Sequence, residues 1–189
     1  TGTTGTSDLV RMLGAGTLAT SAVDTVVGSI AGTDVLQLLG SGENIAISAI
    51  ETVRGTSGTD VATLMVAGGL LVSGVETVVG TAGTDSVSLL SPGAIALSAV
   101  ESVTGTTGTG DAVSILASAS STLSVSAVES VLGTTDQTDI VRMLQSGSLS
   151  VSNVDTVLGS TGTADAIHLL GADTVRISGS SPCRPSART

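Results

Sequence analysis

Seven aspartates, each following a turn rich in Gly and Thr, recur along this chain of 189 residues at Asp8, Asp34, Asp60, Asp85, Asp111, Asp139 and Asp165, in steps of 25 to 28 residues. A fixed period of that size marks a repeat architecture, in which each repeat is one structural unit stacked on the next. A second acidic register keeps the same period: Asp24, Glu51, Glu76, Glu101, Glu129 and Asp155 each follow Val or Ile and precede Thr-Val or Ser-Val. Together the two registers hold 13 of the 16 acids, leaving Glu43, Asp136 and Asp173 outside. The acids therefore belong to the repeat and are not scattered surface charge.

One period shows the plan. Val75-Glu76-Thr77-Val78-Val79 leads into the turn Gly80-Thr81-Ala82-Gly83-Thr84, then Asp85 to Leu90, a break at Ser91-Pro92-Gly93, and Ala94 to Val100 before the next acid, Glu101. β-Branched residues, spacing near 2 and recurrent glycine predict three short strands per repeat and disfavour helix. Two residues after each turn aspartate the chain is apolar (Val10, Leu36, Ala62, Val87, Val113, Val141, Ile167), and again four after it (Met12 to Leu169); the position between, from Arg11 to His168, is mostly polar. The third strand repeats inward pairs such as Ile45/Ile47 and Ile95/Leu97.

These patterns predict an all-β parallel β-solenoid of about seven coils over residues 1–179, one repeat and three short strands per coil. At about 4.8 Å per coil the rod would be roughly 34 Å long, with the aspartates in one column, neighbouring charges roughly 5 Å apart. A leucine-rich repeat has a comparable period, but its L-x-x-L-x-L pattern is absent. Such a column repels itself by about 1 kcal/mol per contact in water and about 3–4 at an effective dielectric near 20. Six arginines cannot answer sixteen acids, so either bound cations bridge the coils or backbone N–H and Thr hydroxyl groups stabilise the carboxylates. The second register is expected to bond its own coil's backbone or neighbouring hydroxyls.

Composition narrows the class. Phe, Tyr and Trp are absent while apolar residues make up 41% of the chain, which suits a thin aliphatic core. Mean hydropathy is +0.53, yet no apolar run reaches the 18 residues of a membrane helix, and a membrane barrel would need aromatic girdles, so no membrane insertion is expected. A net charge of −10 with no lysine argues against nucleic acid as a partner and favours cations. Cys183 is alone, so there is neither a disulfide framework nor a cysteine metal site.

The turn Gly80-Thr81-Ala82-Gly83-Thr84-Asp85-Ser86-Val87-Ser88 resembles the G-G-x-G-x-D-x-U-x nonapeptide of hemolysin-type (RTX) calcium-binding repeats, with Thr81 in place of the second glycine. Gly55-Thr56-Ser57-Gly58-Thr59-Asp60 is its close companion; the other five turns carry one extra residue before the aspartate. The resemblance implies a β-roll in which the seven turn aspartates hold calcium between stacked coils through oxygen ligands. The chain departs from the family in having one such turn per long repeat instead of tandem nonapeptides. The alternative is that each carboxylate caps turn N–H groups without metal.

Other candidates are weaker. His168 sits in the solvent-facing column without catalytic partners in view, sugar chemistry would want aromatic platforms, and an active site is usually singular, so the chain is not expected to be an enzyme. Thr59, Thr84, Thr109, Thr138 and Thr163 recur near one place in the turn, which raises an ice-binding array as an alternative. The tail 180–189 leaves the repeat and is expected to be disordered. Neither end carries an amphipathic cap, so coils are expected to stack head to tail with copies of themselves or to continue in a longer solenoid. The leading expectation is a secreted or cell-surface structural solenoid of filament, surface-layer or adhesin type, stabilised by calcium. The alternative is a binding module, either an ice-binding surface or a carbohydrate-contacting RTX-like repeat of a larger protein.

Overall fold

The computed structural model describes residues 1–3, 7–116, 122–135, 138–162, 164–171, 174–179 and 184–185. Asp136, Thr163, Asp173, Cys183 and the rest of the tail outside Arg184–Pro185 lie beyond the described residues. The first strands are β1 (Leu9–Arg11), β2 (Thr17–Thr20), β3 (Thr25–Val27), β4 (Val35–Leu38), β5 (Asn44–Ser48), β6 (Thr52–Arg54), β7 (Val61–Leu64), β8 (Gly69–Ser73) and β9 (Thr77–Val79). Each repeat supplies three, and no helix appears among the described residues. The chain is an all-β parallel β-solenoid.

Its winding differs from the sequence expectation. Every strand pairs in parallel with the strand two places on, so the odd strands form one sheet of eleven and the even strands a second sheet of ten. Each coil therefore holds two strands, and a three-strand repeat winds one and a half coils. Coil length follows from the register: Leu9 lies opposite Thr25, sixteen residues on, and Ser102 opposite Ser124, twenty-two on. Seven repeats thus make more than seven coils, and eleven stacked strands span about 48 Å at about 4.8 Å per step. The physical reason lies in the core. Two facing sheets about 10 Å apart are filled by medium-sized aliphatic side chains, chiefly Val, Leu and Ile with Ala62 and Met143, which suits this aromatic-free chain better than the wider interior of a three-sided coil.

The inward columns are as the alternation predicts. Val10 lies against Val26, Val26 against Ile47 and Ile47 against Leu64, while Ile45 lies against Ala62 and Ala62 against Val78. Leu36, Ile47, Val53, Ala62 and Val78 are fully buried, each aliphatic side chain contributing about 1.5–3 kcal/mol relative to exposure. The apolar residue before each second-register acid (Val23, Ile50, Val75, Val100, Val128, Val154) is also buried and plugs the core at the sheet margins. Arg184–Pro185 of the tail pairs with Ala166–Ile167 as the last strand of the larger sheet, where an edge position tolerates proline.

Candidate functional site: the aspartate loops

Because a repeat is one and a half coils, successive repeats turn opposite ways. Asp8, Asp60, Asp111 and Asp165 precede the first, fourth, seventh and tenth strands of the larger sheet, and Asp34, Asp85 and Asp139 the second, fifth and eighth of the smaller. The expected single column is thus two, on opposite margins of the solenoid. Within each, neighbouring aspartates are three coils, about 14 Å, apart. The self-repulsion foreseen at roughly 5 Å spacing does not arise.

Three kinds of loop alternate along each margin, and they explain the repeat's chemistry. Around Asp60 the loop 55–60 is the middle layer, the short loop 39–43 lies one coil before it, and the corner Gly74-Val75-Glu76 one coil after. Asp60 Oδ2 accepts the Thr56 N–H at 2.7 Å and the Thr56 hydroxyl at 3.0 Å, and Oδ1 accepts the Glu43 N–H at 2.8 Å. The Asp60 N–H in turn donates to Glu76 Oε2 at 2.7 Å. Side chains thereby staple three successive coils at Asp60.

The arrangement recurs. Asp34 takes donors from Ser29 and Gly16, Asp85 from Thr81 and Gly68, and Asp111 from Thr106 and Gly93. Thr134 serves Asp139, Ser160 serves Asp165 and Thr3 serves Asp8. The N–H groups of Asp8, Asp34, Asp85, Asp111 and Asp139 donate to Asp24, Glu51, Glu101, Glu129 and Asp155. The second register thus binds the backbone of the preceding coil rather than its own. Asp34, Asp60, Asp85 and Asp111 are 0% exposed, a burial sustained by charge-assisted hydrogen bonds.

The glycines of the turn have close approach as their cause. Two residues before each second-register acid stands a residue with positive φ: Ala22, Ala49, Ala99, Ala127 and Asn153 at 51–55°, and Gly74 at 59°. That conformation turns its carbonyl onto the first turn glycine of the preceding coil, so a side chain at Gly80 would overlap the Ala99 carbonyl oxygen. The Gly80 N–H bonds the Ser98 carbonyl at 2.8 Å. At Gly83 an added Cβ would overlap that of Ala67 in the short loop of the preceding coil.

Glu43, outside both registers in the sequence, also has a place. Between each corner and the next short loop lies the one step along the margin that no aspartate staples. Grooves of about 350 Å³ at Ala49–Gly68, 170 Å³ at Gly74–Gly93 and 140 Å³ at Ala127–Gly147 open there. In the corresponding step between Ala22 and Glu43, the Glu43 carboxylate accepts the Ala22 N–H at 3.0 and 3.1 Å. It occupies the kind of step that is open at those three grooves.

The residues present do not fit a calcium cage. The turn carboxylate oxygens face N–H and O–H donors, whose positive hydrogens stand where a cation would need neutral oxygen ligands. Among the described residues no three His, Cys, Asp or Glu side chains come together as a metal-binding group. Thr59, Thr84, Thr109 and Thr138 are exposed but divide between the two margins instead of forming one flat array. His168 is half-exposed on the outer face of the larger sheet. No helix among the described residues is long and apolar enough to cross a membrane.

One feature has no counterpart in the sequence predictions. The fifth residue after each turn aspartate is apolar in all seven repeats and exposed in all seven: Leu13, Met65, Leu116 and Leu170 on one margin, Leu39, Leu90 and Leu144 on the other. Its signal was present in the sequence as a column adjoining the inward one, which alternation alone would have assigned to solvent.

Comparison with family models, with curated proteins and with solved structures finds no match to this chain in any of the three.

Proposed function

We propose that the chain is a structural rod, a secreted or cell-surface solenoid that assembles with copies of itself, and that its coils are locked by carboxylate–amide staples without calcium. The observation that carries this reading is the set of buried turn carboxylates whose oxygens accept N–H and O–H donors from their own and neighbouring coils. A turn carboxylate that recurs in every repeat, and that at Asp34, Asp60, Asp85 and Asp111 ties its coil to the coils before and after it, is a device for stiffness. Assembly is supported at the first coil, where the outer edge of β1 carries no strand among the described residues and Leu9 is 65% exposed. An open parallel edge of that kind is a template for a further coil, from another copy or from further chain.

Circular dichroism, thermal melting and electron microscopy with and without a strong chelator test both parts. The expected result is an unchanged spectrum and melting midpoint, with rods that lengthen as protein concentration rises. A midpoint that falls on chelation and returns with calcium would overturn the metal-free lock. Monomers at every concentration would overturn the assembly.

A further inference from the structure

Charge is segregated in this fold by more than composition requires. Among the described strands none contains Asp or Glu, whereas Arg11, Arg54, Arg142 and Arg176 all lie in strands and are exposed. Every described acid stands on a margin. The outer face of the ten-stranded sheet therefore carries Arg54, Arg142 and Arg176 with no acid among them, on a chain of net charge −10. That same face also exposes Leu71.

The margins have the complementary character. On one of them Glu51 is followed one coil later by Met65, Glu101 by Leu116 and Asp155 by Leu170; on the other, Asp24 is followed by Leu39, Glu76 by Leu90 and Glu129 by Leu144. Each margin is thus a row of acid and apolar pairs repeating about every 14 Å, set by three strand spacings. Seven Leu or Met side chains in seven repeats leave 39–96% of their surface in solvent. An exposed apolar row of this kind, rimmed by charge, is the mark of an interaction surface.

We infer that the occupant is a second copy of this chain, docked margin on face: the acid and apolar row of one rod lies on the arginine-bearing outer face of the ten-stranded sheet of the next. Charge complementarity selects that pairing. Margin against margin would bring acid rows together, and face against face would bring arginines together. The overall repulsion between two anionic rods is screened beyond about 8 Å at 0.15 M salt, while the contact pairs persist. Burial of the Leu and Met row supplies affinity, and the arginines supply orientation. The contact is heterologous, so it leaves a margin and a face free and builds open-ended side-by-side bundles. This lateral contact goes beyond end-to-end stacking and stands separately from it.

Two variants test it. In the face variant, Arg54, Arg142 and Arg176 are each replaced by Ser; in the margin variant, the seven exposed Leu and Met residues are each replaced by Ser. All these positions are exposed, and circular dichroism confirms that each variant is folded. Sedimentation velocity and electron microscopy at about 0.15 M salt should show laterally paired wild-type rods and no lateral pairing by either variant alone. An equal mixture of the two should restore closed lateral complexes of one face variant with one or two margin variants, because the face variant keeps both margins and the margin variant keeps its single face. Wild-type rods in single file would overturn the lateral contact and leave end-to-end assembly standing; monomers throughout would overturn both. Undiminished pairing by either variant, or no pairing in the mixture, would also overturn it. Binding of monomeric wild-type protein, but not the margin variant, to phosphatidylcholine vesicles would assign the apolar rows to lipid instead.

Discussion

Replacing Asp60 with Asn tests the staple most directly, because it changes charge and donor pattern at nearly constant volume. Asp60 is 0% exposed and accepts three donors, two from Thr56 at 2.7 and 3.0 Å and one from Glu43 at 2.8 Å. An amide can keep only one oxygen. The better orientation keeps it on Thr56 and turns the NH2 group toward the Glu43 N–H, so two donors face each other. Leaving that buried N–H without an acceptor costs about 1–3 kcal/mol, and loss of charge from the remaining bonds removes roughly half of their 1.5–3 kcal/mol each. The expected destabilisation is about 2.5–6 kcal/mol, a large part of the 5–15 kcal/mol typical of a folded domain. Denaturant unfolding in metal-free buffer measures it, and hydrogen exchange should show the loss centred on Thr56 and Glu43. Thr59→Ala, at an exposed position of the same loop, serves as a control expected within about 0.5 kcal/mol of wild type. A wild-type midpoint for Asp60→Asn without metal, with a loss appearing only when calcium is added, would refute the staple.

Four further outcomes are expected. Gly80→Ala should lower stability by about 3 kcal/mol or more, since its methyl meets the Ala99 carbonyl, whereas Gly93→Ala meets nothing and should be neutral or up to about 1 kcal/mol stabilising; paired thermal melts compare them. Ala99→Gly removes a non-glycine residue from φ of 51° and, set against the entropy glycine adds to the unfolded chain, should stabilise by about 0.5–1 kcal/mol, read from the same melts. Gly68→Glu copies Glu43 into the groove of about 350 Å³ and should gain about 1 kcal/mol from a charge-assisted bond to the Ala49 N–H, seen as slowed exchange of that amide. Deleting the 26 residues 86–111, one whole repeat, should leave a folded, shorter solenoid by circular dichroism, because every remaining loop keeps its neighbours; deleting a coil's worth of about 17 residues should not.

Much of this architecture was legible in the residues. The spacing of Asp8 to Asp165 set the repeat, the alternation around Val87 and Leu97 set strands and their inward sides, and the Gly-Thr-Asp order marked the loop where coils meet. Those signals are local, because β-alternation and turn chemistry act within a few residues of chain. How many strands close one coil is not local. Three strands per repeat are compatible with a three-sided coil of one repeat or a flat coil of two strands, and neighbouring side chains do not distinguish them.

Tertiary packing decided the rest. Facing sheets of aliphatic side chains accept two strands per coil, so repeat and coil fall out of phase by half a turn. That mismatch splits the aspartates between two margins and separates like charges by three coils. It also brings Glu43, Asp60 and Glu76, sixteen or seventeen residues apart in sequence, into one hydrogen-bonded stack. Whether a turn aspartate faces a cation or an amide depends on which loop lies above and below it, and the chain's period alone does not specify that neighbour.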